Sequence, residues 1–167
     1  AVYTGYWFMP GRFGWAISLP LHVCDLLGLV ACLAMWGDGW RARAVLYFAG
    51  LALCSQGFLT PVITNGPATL HFWLFWWLHL WIVGAAVYDV VVRSFRPGWR
   101  EFWFTIGVGV VYVLAMMALN QALGSNYGYV GQAPVGARTI ADALGPWPWR
   151  VLVMSVLTIV AMAILLL

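Results

Sequence analysis

Three side chains that can carry out chemistry interrupt one strongly apolar stretch of the sequence. His22, Cys24 and Asp25 lie within four residues of one another between Ser18 and Trp36. An imidazole, a thiol and a carboxylate are the groups that proteins use for nucleophilic and acid–base catalysis. Because consecutive helical residues point about 100° apart, Cys24 and Asp25 cannot face each other. We therefore expect any partner of Cys24 to come from another helix.

Two more imidazoles follow in a second apolar stretch. His71 and His79 are eight residues apart with Phe75 midway, so a helix places all three on one slowly drifting stripe. The helical rise puts His79 about 12 Å deeper in the segment than His71. A buried imidazole needs a hydrogen-bond partner, so His79 is either a structural residue or a catalytic one.

The composition indicates that these residues lie in a membrane protein. Of the 167 residues, 64% are hydrophobic and only 8% are charged, a balance that soluble domains do not reach. We predict an all-α, polytopic transmembrane helix bundle that forms a single domain and contacts membrane lipids. All eight basic residues are arginines, and the formal charge of +3 is scattered over loops. This pattern excludes nucleic acid as a partner.

Five apolar runs approach the roughly 20 residues that a helix needs to cross the bilayer core. The opening "AVYTGYWFMP" has the character of the exit of an earlier helix, which predicts six spans in the complete protein. The five visible runs are Ala16 to Trp36, Ala44 to Val62, Leu70 to Val92, Phe102 to Leu123 and Trp149 to Leu167.

The arginines predict the orientation of these spans. The loop between the first and second spans carries Arg41 and Arg43. The loop between the third and fourth spans carries three arginines, between residues 93 and 100. Basic residues are more frequent on the cytoplasmic side, so both loops are predicted to lie inside. This orientation places five arginines on the cytoplasmic side and three, at positions 12, 138 and 150, on the opposite side. The polar ends of the spans then lie in the outer leaflet.

Polar side chains should gather at that end, because successive spans alternate in direction. Polar groups are costly in hydrocarbon and normally face the interior of a bundle. Asp89 is the exception, near the inner end of its span, where Arg93 lies one turn further on. We expect one cavity with His79 at its floor and the others around it, namely His22, Asp25, Gln56, His71 and Asn120.

The longest connection, residues 124–148, should cover this cavity. Its glycine, proline, asparagine and tyrosine content predicts an ordered, turn-rich loop, which includes Asn126 and Tyr127. Thr139 and Asp142 have the spacing of a capping box, which predicts a short interfacial helix from Thr139 to Leu144.

The cysteines and small residues also have purely structural interpretations. Cys24, Cys32 and Cys54 each fit the core of an apolar helix, and they do not form a disulfide framework. Gly50, Cys54 and Gly57 form a stripe suited to close helix packing. Gln56 is equally suited to a hydrogen bond between helices, and His71 to the membrane interface.

Five motifs in order resemble one known family. "LPLHVCDLLGL", "GLALCSQGFLTP", "HFWLFWWLHLWIV", "NYGYVGQAP" and "LGPWPW" cover nearly the whole chain. The set resembles the bacterial YwaF family of integral membrane proteins, which is similar in turn to an animal multispanning phospholipid acyltransferase. The resemblance implies about six helices in a bacterial inner membrane. It also implies a catalytic pair, matched here by Cys24 and His79. Around such a pair we expect the substrate-binding or orienting residues to come from the polar cluster and the long loop, namely His22, Asp25, Gln56, His71, Asn120, Asn126 and Tyr127.

Two other functional classes fit the same residues. The protein could be a non-catalytic accessory subunit of a larger membrane complex, packed through its tryptophan-rich flanks and small-residue stripe. It could also handle a metal ion or protons through its histidines and Asp25. No helix carries two close metal ligands in the HxxxH pattern, so we predict no metal site and no cofactor.

Overall fold

The computed structural model describes residues 2–8, 11, 13–61, 63, 66–132 and 143–167. Within these ranges every regular element is helical, which confirms the all-α prediction. The elements are α1 (Val2–Trp7), α2 (Val23–Trp36), α3 (Trp40–Val45), a π-helix (Leu46–Cys54), α4 (Gln56–Leu59), α5 (Leu70–Val91), α6 (Trp99–Leu123), a 3₁₀ turn (Tyr127–Tyr129) and α7 (Trp149–Ile164).

Three helical segments are long and apolar enough to cross a membrane. Trp40–Leu59, which joins α3, the π-helix and α4, has 20 residues, whereas α5 has 22 and α6 has 25. These segments confirm the three central predicted spans. The other two apolar helices are shorter, with 14 residues in α2 and 16 in α7. At 1.5 Å per residue α2 measures about 21 Å, less than the roughly 30 Å bilayer core.

The predicted start of the first span, Ala16, is wrong. Residues 15–20 form turns and bends, and α2 begins only at Val23 after an extended His22. Pro20 explains the late start, because proline disfavours helical backbone at the residue before it and donates no hydrogen bond. The late start is important for the site, since it places Cys24 in the first turn of a helix.

The core lies where α2, the π-helix and α5 cross. Ala31 and Ala34 of α2 are fully buried there, together with Phe48 of the π-helix and Ile82 of α5. Cys32 lies between the two buried alanines in sequence and therefore points outward, where it is exposed. The prediction that Cys32 is a core residue is wrong for this geometric reason.

The outer surfaces of the helices are apolar, as contact with lipid requires. Large side chains on them are more than half exposed, including Leu33 of α2, Trp77 of α5 and Val111 of α6. Only a non-polar solvent makes such surfaces favourable. The protein is an integral membrane protein that contacts lipid along these helices.

A charged cluster connects three segments at the end of the bundle opposite His22. The Nε of Arg43 donates to both carboxylate oxygens of buried Asp89, at 3.1 and 2.9 Å. Arg93 lies 3.2 Å from the same carboxylate and also donates to the Ala34 carbonyl and to Asp38, both at 2.6 Å. The predicted proximity of Asp89 to Arg93 is confirmed. Arg43 of α3 and Arg93, which follows α5, therefore meet at one end of the bundle.

The predicted helix from Thr139 to Leu144 and its capping box fall largely on residues 133–142, outside the described ranges. Arg12 and Arg138 also lie outside them.

Candidate active site

The sulfur of Cys24 lies 3.2 Å from Nε2 of His79, across the interface between α2 and α5. On its other side, the His79 ring has Nδ1 at 2.8 Å from the carbonyl oxygen of Phe75. A carbonyl can only accept, so Nδ1 carries the hydrogen and the neutral ring presents Nε2 as an acceptor. The pair thus has the arrangement of a thiol and the base that can remove its proton.

Cys24 lies in the first turn of α2, where backbone N–H groups have no acceptor within the helix. The first full-turn bond of this helix runs from the Leu26 N–H to the His22 carbonyl, at 3.2 Å. The N–H groups of Val23 and Cys24 come earlier in the chain, so no hydrogen bond within the helix uses them. A helix N-terminus also favours negative charge. It can therefore stabilise a thiolate or an oxyanion beside it.

Gly57 of α4 forms the wall behind the His79 ring. A Cβ at position 57 would lie 2.7 Å from Nε2 and still closer to the ring carbon Cδ2, so only glycine fits beside the imidazole. Gly50, two turns earlier, approaches Ile82 of the same helix. The small-residue stripe predicted from the sequence thus packs against α5, and one of its members fixes the position of His79.

Cys54 is a third partner of this pair. Its sulfur is fully buried and lies 3.5 Å from the Cys24 sulfur. The prediction of Cys54 as a core residue is confirmed. The sequence did not predict its contact with Cys24, which follows from the π-helix that ends at Cys54.

A cavity of about 330 Å³ opens beside these residues. Its volume lies in the range of small-molecule sites. Predicted site residues on its wall are His22, Cys24, Asp25, Gln56 and His79. The remaining wall is largely apolar and includes Leu53, Leu78, Met154 and Leu157, the last two from α7.

His22 and Asp25 line this cavity at the N-terminus of α2. Nδ1 of His22 accepts a hydrogen bond from the Gly128 N–H at 3.4 Å, and the ring packs edge-on against Tyr127. Asp25 is buried at the third position of α2, where the helix N-terminus favours a carboxylate. It also borders a second, smaller cavity of about 50 Å³ beside Ser18. Both residues are thus placed at the site by the same helix turn.

Asn120 does not line the cavity, contrary to the prediction, and Asn126 and Tyr127 of the loop lie outside its wall as well. The Asn120 side chain accepts from Ser125 Oγ at 2.8 Å and from Tyr127 N at 2.7 Å, and donates to the Tyr127 carbonyl at 2.9 Å. The Asn126 side chain accepts from Gly131 N at 3.0 Å. These side chains satisfy polar groups of the loop and thereby position it.

Tyr127 anchors the same loop to the segment before α2. Its ring is fully buried, and its hydroxyl donates to the Trp15 carbonyl at 2.8 Å and accepts from Leu19 N at 3.0 Å. Tyr127 therefore holds the loop against the segment that precedes α2.

His71 is also placed elsewhere. Its ring packs against Tyr6 and Trp7 of the chain's first helix, with centroids 5.6 and 5.3 Å apart. Eight helical residues return to a direction about 80° from the starting one, so His71 and His79 diverge over two turns. The prediction that both face one groove is wrong.

Tyr129 lines the cavity, although it was not among the site residues predicted from the sequence. Its backbone has φ of 60°, a left-handed conformation that is uncommon for a bulky residue and clusters at functional sites. Burial raises the pKa of its phenol, so the hydroxyl remains a neutral donor. The only sequence signal was its position after Gly128, which also has positive φ.

No group of three histidine, cysteine or acidic side chains among the residues described here could hold a metal ion.

Comparison with known proteins gives one match. The model of the TMEM164 family matches residues 1–166. Neither the curated proteins nor the solved structures include a match. Since the family match extends over almost the entire sequence, the chain belongs to the TMEM164 family.

Proposed function

We propose that this protein is a membrane acyltransferase that moves a fatty acyl group between phospholipids through a thioester on Cys24. The observation that carries the proposal is the 3.2 Å separation of the Cys24 sulfur from the acceptor nitrogen of His79. A thiol needs such a base because the thiolate is the nucleophile.

The first half of the reaction forms the thioester. His79 Nε2 takes the Cys24 proton, and the sulfur attacks the carbonyl carbon of a phospholipid ester. A C–S bond forms as the carbonyl becomes an oxyanion, and the ester C–O bond then breaks. His79 returns the proton to the leaving alkoxide, which departs as a lysophospholipid hydroxyl.

The second half reverses these events with a different lipid. His79 takes the proton of an acceptor lysophospholipid hydroxyl, and that oxygen attacks the thioester carbonyl. A new ester C–O bond forms, the C–S bond breaks, and His79 returns its proton to the sulfur. No net oxidation occurs, and no cofactor is required.

Two kinds of donor are candidates for the oxyanion. The N–H groups of Val23 and Cys24 lie at the N-terminus of α2, and Tyr129, which lines the cavity, has a hydroxyl. Preorganised donors of this kind are usually among the largest contributions to acyl transfer. Gln56 already donates to the Ala52 carbonyl at 3.2 Å, so its amide is partly occupied.

A lipid substrate fits the surroundings of the pair. The cavity combines a polar end at His22 and Asp25 with an apolar wall from α5 and α7, which matches a head group joined to an acyl chain. The motifs that resemble YwaF proteins support the same chemistry. Assignment to the YwaF group and to a bacterial inner membrane rests on that resemblance.

The test uses the purified protein with labelled phospholipid and a lysophospholipid acceptor. Cys24→Ser and His79→Gln should each reduce transfer by about 100-fold or more, because each removes a group that acts in the transition state. Cys32→Ala is the matched control, since this exposed thiol is outside the site. Folded variants that transfer as well as the parent would contradict the proposal. No transfer by the parent with any lipid would favour the accessory-subunit alternative.

A further inference from the structure

Three side chains form a continuous contact chain inside the bundle. Cys54 Sγ lies 3.5 Å from Cys24 Sγ, which in turn lies 3.2 Å from His79 Nε2. Since Nε2 accepts, the Cys24 thiol directs its hydrogen toward His79. The Cys24 sulfur lone pairs are then available to the thiol of Cys54, which can donate to them.

The backbone around Cys54 gives independent support for a role beyond packing. The nine residues Leu46–Cys54 form a π-helix, a rare conformation that is frequent at functional sites. A π-helix places more residues in each turn than an α-helix, so it changes the direction in which the following side chains point. This stretch ends at Cys54, where the thiol meets Cys24, and Gly57 follows against His79.

We propose that Cys54 is a positioning residue whose thiol donates a hydrogen bond to the Cys24 sulfur, holding that sulfur toward His79 and stabilising its negative charge. This inference rests on the proposed function of Cys24. In a buried setting a donor to a charged sulfur is stronger than the same donor to a neutral one. Serine has a stronger donor than cysteine, whereas alanine has none. The two substitutions therefore separate hydrogen bonding from packing.

The experiment follows the alkylation of Cys24 by iodoacetamide across a pH series, without any lipid substrate. The parent carries Cys32→Ala, which removes the exposed thiol, and mass spectrometry of the peptides counts adducts on Cys24 alone. The other titratable groups that act on Cys24 or Cys54 are Asp25, His79, Tyr112 and Tyr129, and all are unchanged in every variant.

Cys54→Ala should raise the pH of half-maximal alkylation by about one unit, the effect of losing one hydrogen bond to a charged group. Cys54→Ser should leave the midpoint at the parent value or below it. Identical profiles for the parent and the alanine variant would overturn the inference. If the alanine variant does not fold, the serine variant provides the test. A pH of half-maximal alkylation in Cys54→Ser above that of the parent would contradict a donor role for Cys54.

The outcome is separable from that of the proposed function. Alkylation reports the state of the Cys24 sulfur whether or not a lipid is transferred. A raised midpoint in the alanine variant together with absent transfer would support the hydrogen bond and contradict acyl transfer. Unchanged alkylation profiles together with lipid transfer would contradict the hydrogen bond and support acyl transfer.

Discussion

The imidazole of His79 lies against the bare backbone of Gly57, so closely that a Cβ there would lie 2.7 Å from the nitrogen facing Cys24. The position of the base thus depends on the absence of a side chain on a neighbouring helix. Gly57 is not itself a reacting group, yet it determines whether the reacting pair can form.

Replacement of Gly57 by alanine should therefore displace His79 from Cys24. We expect lipid transfer to fall by about tenfold or more, since small displacements of catalytic groups have large effects. Overpacking should also lower the free energy of unfolding by about 1 to 3 kcal/mol. Gly84→Ala on α5 is the control, because its Cβ would meet no atom within 4 Å. Equal transfer by both variants would contradict a positioning role for Gly57.

Asn120 should matter for stability more than Asn126 does. Asn120→Ala removes three hydrogen bonds of 2.7 to 2.9 Å from a buried loop, whereas Asn126→Ala removes one of 3.0 Å. We expect a loss of about 2 to 3 kcal/mol in the first variant and about 1 kcal/mol in the second. Unfolding in detergent by denaturant measures both. The reverse order would show that the loop is held by other contacts.

The two tyrosines of the loop should separate activity from stability. Tyr129→Phe removes the hydroxyl of a residue that lines the cavity, so transfer should fall by about tenfold or more while the melting temperature stays close to that of the parent. Tyr127→Phe breaks the bonds to Trp15 and Leu19 and should lower the melting temperature. Transfer rates and thermal unfolding of both variants test this. If Tyr129→Phe retains full transfer, its hydroxyl is not an oxyanion donor.

Asp89 should be essential to the fold, although it lies far from the site. Asp89→Ala leaves Arg43 and Arg93 without their buried carboxylate, which should cost about 3 to 5 kcal/mol. Asp38→Ala breaks an ion pair whose carboxylate is 91% exposed, so its effect should be small. Comparable unfolding free energies for the two variants would mean that the buried cluster is not a structural anchor.

The sequence was sufficient to predict the helical membrane bundle and the side chains worth testing. Apolar runs of about 20 residues leave little alternative to transmembrane helices, and Cys24 could be recognised as needing a partner from another helix. The contact with His79 agrees with that reasoning.

The same reasoning failed where the direction of a side chain depended on small rotations along a helix or on the residue at which the helix begins. His71 and His79 share a face in an idealised stripe, yet two turns of drift direct His71 to Tyr6 and Trp7. The contact of Cys54 with Cys24 was not predicted, because nothing in "LALCSQG" indicates a π-helix. The late start of α2, which puts Cys24 at a helix N-terminus, depends on a bend that apolar periodicity does not reveal.

The most direct test of the account is the mass of the Cys24 peptide after the protein is incubated with a labelled phospholipid and no acceptor. A thioester mechanism predicts a labelled acyl group on Cys24 that hydroxylamine removes, that a lysophospholipid discharges, and that is absent in His79→Gln. The Cys32 peptide from the same digest is the internal control and should carry no label. An unlabelled Cys24 in protein that transfers acyl groups would contradict a thioester mechanism.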